Sequence, residues 1–357
     1  MSSGAAQVAL LGYGLAGAVF HAPLIAAVEG LELAAIVTRN DERRDRAQRE
    51  HPGAKLFETD DEVWARAAEF DLVVIASPNR THVPLARAAI EAGLPVVVDK
   101  PLAANAGEAH RVTELARDRG VMLTVFQNRR WDGDFLSVRR LVDDGALGHV
   151  VRMESRFDRW RPELAGGWRE LPDPEEAGGL LYDLGSHLVD QALVLFGPVL
   201  DVYAELDVRR PGAGIDDDVF VALTHASGIR SHLWMTAVAA QPAPRFRILG
   251  DQAAYVKHSV DAQEALLRGG ERPGPGWGEE AEDRWGVLGA GEDLTRVPTE
   301  PGAYQRFYEA VVEALRGAPP PVDPADAAAA LEVLDAARTS ARERRVVEVA
   351  AADPVSS

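Results

Sequence analysis

Hydrophobic positions along the chain follow two regimes. Over the first third, short unbroken apolar runs at 8–11, 31–37, 71–76, 94–98 and 121–126 are separated by longer stretches of helical period, among them 81–92 and 108–119. Apolar runs without polar alternation predict strands buried on both faces, and the intervening helices predict crossover connections. This part is therefore expected to be α/β with a doubly wound parallel sheet. Beyond it the pattern changes. A helix is expected at 135–143 and an alternating strand at 151–157, with further strands at 199–208, 218–226, 229–238, 244–249 and 253–258. Several are joined by hairpin signals such as Ser227-Gly228 and Gly250-Asp251, which predicts an α+β domain with a large open, mostly antiparallel sheet. One face of such a sheet packs on helices. The other needs a cover, and a homodimer or homotetramer through this sheet is the simplest one. The expected domains are 1–126 and 127–350, with 351–357 a frayed tail. The stretch 268–302, rich in Gly, Pro and charge and anchored by Trp277 and Trp285, reads either as a packed excursion or as a lid. Helices are expected at 303–316 and 323–342.

One helix in the second part has a different character. It opens at Gly178-Gly179 and closes at Gly197. Leu184, Leu188, Ala192 and Leu195 recur at core-facing spacing, while Asp183, His187 and Asp190/Gln191 form a polar stripe. That stripe is either the solvent face of an amphipathic helix or a set of chemical groups on one side of a site. Gly185, in mid-helix, costs about 1 kcal/mol relative to Ala, which points to a close approach there.

The first apolar run leads into Gly12-Tyr13-Gly14-Leu15-Ala16-Gly17 and then a helical pattern through Val28. A tight turn needs the first Gly, and the second lets a pyrophosphate approach the backbone. The third lets helix pack on strand, and the helix N-terminus supplies amide donors. Between a strand and a helix, Gly12, Gly14, Leu15, Ala16 and Gly17 make a candidate dinucleotide cradle, the mark of a Rossmann domain. A carboxylate normally follows the second strand to hold the ribose diol. Here the chain reads Thr38-Arg39-Asn40, with Arg43 and Arg44 one turn on, which favours NADP over NAD. Ligands of such sheets gather at the carboxyl ends of strands. That adds Ser77, Pro78 and Asn79, with His82 three residues on, and then Asp99-Lys100-Pro101. Lys100, held before a proline, is able to point its ammonium at a substrate oxygen.

Composition narrows the partners. The 357 residues carry a net charge of -18, which repels nucleic acid and anionic membranes, so neither is expected as a partner. There is no cysteine, and the nine histidines form no His-x-His or His-Glu-x-x-His cluster, so no metal is expected. The first residues have no basic n-region and no apolar run approaches about 18 residues, so a cytoplasmic protein is expected.

With the glycine loop, Asp99-Lys100-Pro101 and Tyr182-Asp183-Leu184-Gly185-Ser186-His187 in order, the chain resembles the Gfo/Idh/MocA oxidoreductase family over nearly its whole length. It looks most like the NADP-dependent scyllo-inositol dehydrogenases, through Val19-Phe20-His21-Ala22-Pro23-Leu24-Ile25, Asn128-Arg129-Arg130-Trp131-Asp132 and the run from Tyr182 to Gln191. The family usually has Glu before the Lys-Pro pair, where this chain has Asp99. The resemblance implies a catalytic trio of Lys100, Asp183 and His187, and those residue types suit oxidation of a secondary alcohol. His187 would take the hydroxyl proton, Lys100 would stabilise alkoxide charge, and Asp183 would orient hydroxyls or imidazole. Asn128, Arg130, Trp131, Asp158, Arg159 and Trp160 would offer polar groups and aromatic walls to a cyclic polyol or sugar. His82 is placed toward the nicotinamide end. His21 and His82 read equally as structural histidines. The alternatives are an aldose or dihydrodiol dehydrogenase of the same fold and a non-catalytic NAD(P)-sensing regulator.

Overall fold

The five apolar runs of the first third and the short segment Lys55–Phe57 become parallel strands: β1 (Ala6–Leu11), β2 (Leu31–Val37), β3 (Lys55–Phe57), β4 (Leu72–Ile75), β5 (Val96–Asp99) and β6 (Leu123–Phe126). They pair in the order β3-β2-β1-β4-β5-β6. All four residues of β4 and β6 are buried, as helices on both faces require. The sheet changes direction of growth between β1 and β4, and this is the switch point at which strand ends diverge and leave a crevice. Gly12, Thr38, Ser77, Lys100 and Gln127 follow the carboxyl ends of β1, β2, β4, β5 and β6.

The computed structural model describes residues 4–164, 166 and 176–349; the expected tail 351–357 lies outside the described residues. Contacts divide the chain into two units that are each discontinuous in sequence. The first is Met1–Asp132 with Ala262–Gly278 and Gly302–Ala328, and the second is Gly133–Asp261 with Glu279–Pro301 and Ala329–Ser357. A sequence boundary after 126 does not foresee these returns. Gln263, fully buried, secures the first of them: its Oε1 accepts Trp277 Nε1 at 3.0 Å and the Tyr304 N–H at 2.7 Å, and its Nε2 donates to the Trp131 carbonyl at 3.0 Å. Of the stretch beyond 268, the part as far as Gly278 packs on the first unit through Trp277.

The second unit holds a nine-stranded sheet, of which β7 is Val150–Asp158, β8 Val199–Asp207, β9 Asp218–His225, β10 Arg230–Thr236, β11 Phe246–Gly250, β12 Ala254–Lys257, β13 Gly286–Ala290, β14 Asp293–Val297 and β15 Val347–Glu348. The order is β14-β13-β12-β11-β7-β10-β9-β8-β15. Neighbours are antiparallel except β7 and β10, which run parallel. Val219, Val221 and Leu223 of β9 and Leu233 and Met235 of β10 lie buried on one face. Phe220, His232 and Trp234 alternate with them on the other, half-exposed face. The hairpin β13–β14 lies inside the stretch read from sequence as irregular.

Candidate active site

The glycine turn of the first unit is dictated by crowding. Gly12 has φ +103°, and a Cβ there would stand 2.6 Å from the Ala76 carbonyl oxygen at the end of β4. A Cβ on Gly17 would overlap the Gly12 carbonyl. Gly14 is open except for the Arg43 guanidinium, 3.6 Å from where its Cβ would be. Leu15 is exposed and Ala16 half-buried, at the start of the wide-turned helical segment Ala16–His21. Tyr13 is buried between the glycines and donates its hydroxyl to Glu50 at 2.7 Å. Burial, and then Glu50, push the Tyr13 pKa well up, so the hydroxyl stays a donor and ties the turn to the helix Asp41–Glu50. Nothing periodic in the sequence announces that contact.

After β2 the chain carries Thr38, Arg39 and Asn40 where a diol-binding carboxylate normally stands, with Arg43 and Arg44 on the following helix. Thr38 is buried, its N–H bonded to the Phe57 carbonyl at 3.0 Å. Arg39 Nε donates to the Glu58 carbonyl at 3.2 Å, and Arg44 Nη1 lies 3.4 Å from the Thr38 carbonyl. Asn40 spends its side-chain oxygen capping the helix through the Arg43 N–H at 2.9 Å. The sequence names Arg39 with Arg43 and Arg44 one turn on; in the structure it is the Arg43 guanidinium that lies beside the glycine turn.

Ser77, Pro78 and Asn79 follow β4, and Asn79 is buried. Ser77 Oγ and Thr81 Oγ1 are 2.6 Å apart. His82 is fully buried and spans the ends of β4 and β5, with Nε2 2.9 Å from the Ser77 carbonyl and Nδ1 2.8 Å from that of Pro101. Lys100 is half-buried, and its bond to Pro101 is cis. Its N–H donates to Asp99 Oδ1 at 3.0 Å, so the shorter Asp still reaches its own strand end. Asn128 is buried, Arg130 holds Asp326 with both Nη1 and Nη2 at 3.1 Å, and Trp131 packs edge-on against Phe307.

In the second unit the polar stripe is not a solvent face. The segment Leu181–Gly185 has wide turns and runs into the regular helix Ser186–Phe196, on which His187, Asp190 and Gln191 are buried while Asp183 is half-buried. Gly185 allows the approach its position implied: a Cβ there would lie 3.0 Å from Met235 Cε of β10. Polar partners fix the segment at several points. Asp216 Oδ2 accepts the Leu181 N–H at 2.8 Å, and Gly179, with φ +82°, leaves room for that carboxylate. Tyr182 donates to Asp335 Oδ1 at 2.9 Å. Gln191 Oε1 accepts from Arg245 Nη2 at 2.9 Å. Arg245 is itself fully buried, its guanidinium 4.2 Å and 4.0 Å from the ring centres of Phe157 and Phe246 and its Nε 3.4 Å from Asp134. A buried charge of this kind persists only when paired, so it anchors the helix from the side. Arg159 bonds through its backbone to Thr236, and Trp160 is 58% exposed beside it.

A parallel sheet with a glycine cradle at its switch point, joined to a large mostly antiparallel sheet, defines a nicotinamide-nucleotide oxidoreductase. Residues 6–127 match the oxidoreductase family with an NAD-binding Rossmann fold, and residues 135–256 match the GFO/IDH/MocA C-terminal domain. The chain belongs to the GFO/IDH/MocA family and is a dehydrogenase. It is 40% identical to the oxidoreductase YdgJ of Escherichia coli, over 95% of this chain and 97% of that one. It is 32% identical to the scyllo-inositol 2-dehydrogenase (NADP(+)) IolW of Bacillus subtilis, over 96% and 95%. Among solved structures it is similar to the oxidoreductase YPO2259 from Yersinia pestis, with TM-score 0.90 and 38% identity over 98% and 99% of the two chains. Among the described residues no helix is long and apolar enough to cross a membrane.

Proposed function

We propose that the protein is an NADP(H)-dependent dehydrogenase or reductase acting on a secondary alcohol or ketone of a cyclic polyol or sugar, with scyllo-inositol as the first candidate. The observation that carries the reading is the buried polar stripe. A half-buried acid and a buried imidazole on consecutive helical turns, together with a lysine at a strand's carboxyl end, are the groups that alcohol oxidation needs. The cradle of Gly12, Gly14 and Gly17, which side chains would fill, fits a dinucleotide pyrophosphate, and Arg39 and Arg43 fit a 2′-phosphate. When bound, the nicotinamide supplies the hydride acceptor or donor. His187 takes the hydroxyl proton in oxidation and returns it in reduction. Lys100 donates a hydrogen bond to the same oxygen, and Asp183 orients the neighbouring hydroxyls. The name and coverage of the Bacillus relative support the substrate class and the cofactor. A panel of polyols and sugars, followed at the reduced-nicotinamide absorbance band, tests the reading. Turnover supports it, and tight cofactor binding without turnover favours a sensing regulator.

We also propose that a second copy of the chain covers the half-exposed face of the second sheet. On that face β7, β10 and β11 place Arg152, Arg156, Arg230 and Arg247, while β8 places Asp201, Glu205 and Asp207. Glu154 on the same face already pairs with Arg152, Arg156 and Arg247, yet the centre keeps an excess of positive charge, and a two-fold pairing that sets the acidic strand of one copy over it complements that excess.

A further inference from the structure

Two buried histidines stand on either side of Lys100 along the backbone. His21 is fully buried on the segment after the glycine turn, its ring centre 4.4 Å from that of Phe126. Its Nδ1 lies 2.6 Å from the Tyr308 hydroxyl, and its Nε2 lies 3.6 Å from Asp99 Oδ1. The second separation is electrostatic contact rather than a hydrogen bond, and Nε2 has no hydrogen-bond partner among the described residues. Burial, and then the charge of Asp99, hold the Tyr308 pKa far above its ordinary value, so that hydroxyl is a donor. It donates to Nδ1, which leaves the ring hydrogen on Nε2, facing the carboxylate. Burial alone would raise the pKa of Asp99. The facing His21, with His82 and Lys100 nearby, outweighs burial and holds the carboxyl below its ordinary pKa. The same Asp99 oxygen accepts the Lys100 N–H. On the other side of Lys100, His82 Nδ1 lies 2.8 Å from the Pro101 carbonyl and Nε2 2.9 Å from that of Ser77; the neutral ring has one hydrogen, and carried on Nδ1 it is donated to Pro101.

We propose that His21 and His82 are positioning residues that hold the main chain of Lys100 from both sides. Tyr308, His21 and Asp99 set the residue before it, and His82 sets the residue after it. The inference rests on the reading of Lys100 as donor to the substrate oxygen. A lysine has a long flexible stem, so fixing its base is the means by which the fold limits where the ammonium goes. A displacement near 1 Å at a reacting group is enough to cost about two decades in rate.

The sequence has three lysines, Lys55, Lys100 and Lys257. Lys257 is fully buried and Lys55 is exposed beside Glu69, so isotope-labelled reductive methylation lets Lys100 be followed by NMR without any substrate. Oxidation of scyllo-inositol with NADP supplies the second readout. His21→Asn is expected to lower kcat about tenfold at unchanged NADP affinity, and by less than about twofold in a Lys100→Met background. It should move or broaden the Lys100 resonance and leave that of Lys55 in place. Tyr308→Phe, a milder change in packing, should reproduce a loss of about threefold in kcat and move the same resonance. An unmoved Lys100 resonance in folded His21→Asn and Tyr308→Phe, or equal losses in both backgrounds, would overturn the brace. Full activity in Lys100→Met would instead overturn the reading beneath it.

Discussion

Asp216 accepts the main-chain N–H of Leu181 at 2.8 Å and so fixes the first residue of the segment that carries Asp183 and His187. Burial raises the pKa of this carboxyl, and the N–H of Leu181 opposes the rise only in part. A carboxyl raised above its unfolded value of about 3.9 stabilises the fold below that pH and loses the contribution as pH climbs through the folded pKa. The ionised group is thus a cost at neutral pH. Asp216→Asn keeps an acceptor oxygen and removes the charge. We expect it to melt at or above the wild-type temperature at about pH 8, with the gap closing toward about pH 4. Asp216→Ala leaves the Leu181 N–H without its acceptor and should lose about 1–2 kcal/mol. Thermal unfolding across pH checks both, and an Asn variant that melts well below wild type at the upper pH contradicts the assignment.

Cofactor choice should divide between two arginines. Arg39 is partly engaged by the Glu58 carbonyl, whereas the Arg43 guanidinium lies beside Gly14. Each exposed charge-assisted contact to a 2′-phosphate is worth about 1.5–3 kcal/mol, or roughly one to two decades in affinity. Arg39→Ala and Arg43→Ala are each expected to raise the NADP dissociation constant by about tenfold or more and to leave that of NAD nearly unchanged. Paired titrations with both dinucleotides decide the point. Equal wild-type affinity for the two would remove the preference and leave the fold untouched.

The proposed cover of the sheet by a second copy has a consequence in solution. Trp234 pairs with Phe220 across β9 and β10, their ring centres 5.0 Å apart, and carries the Arg156 guanidinium at 3.8 Å. Trp234→Glu should break a subunit contact while circular dichroism stays unchanged. Light scattering is expected to find a dimer or larger assembly for the wild-type chain and a smaller one for the variant. A monomeric wild type at micromolar concentration would remove the second copy.

Much of this architecture is legible in the sequence because burial imposes period. The doubly wound half declares itself in runs such as Leu72 to Ile75, and β7 in the alternation of Arg152, Glu154 and Arg156 with Met153, Ser155 and Phe157. The hairpin β13–β14 does not, because it is mostly exposed and built from residues such as Gly286, Gly289 and Asp293 that carry no apolar period. The return of 262–278 to the first unit hangs on one buried glutamine, Gln263, and a single polar residue leaves no pattern. The contacts that hold the candidate site are of the same kind. Tyr13 with Glu50, Asp216 with Leu181 and Gln191 with Arg245 join residues 35 to 54 positions apart. Gly185, a glycine inside a helical pattern, is one position whose close approach does carry a local signal.

We propose that Lys100 and His187 act on one alcohol oxygen, and the kinetics of variants at both positions test this most directly. Turnover of scyllo-inositol with NADP, read at the reduced-nicotinamide band, is compared in wild type, Lys100→Met and His187→Asn, alongside NADP binding to each. The account predicts turnover in the wild-type protein and losses of about 10²–10³ in kcat for both variants at nearly unchanged NADP affinity. The His187 variant should also lose the acid limb of its pH–rate profile in oxidation, since no imidazole then has to be deprotonated. Near-full activity in either variant, or a wild-type protein that binds NADP and turns over no polyol or sugar, would contradict it.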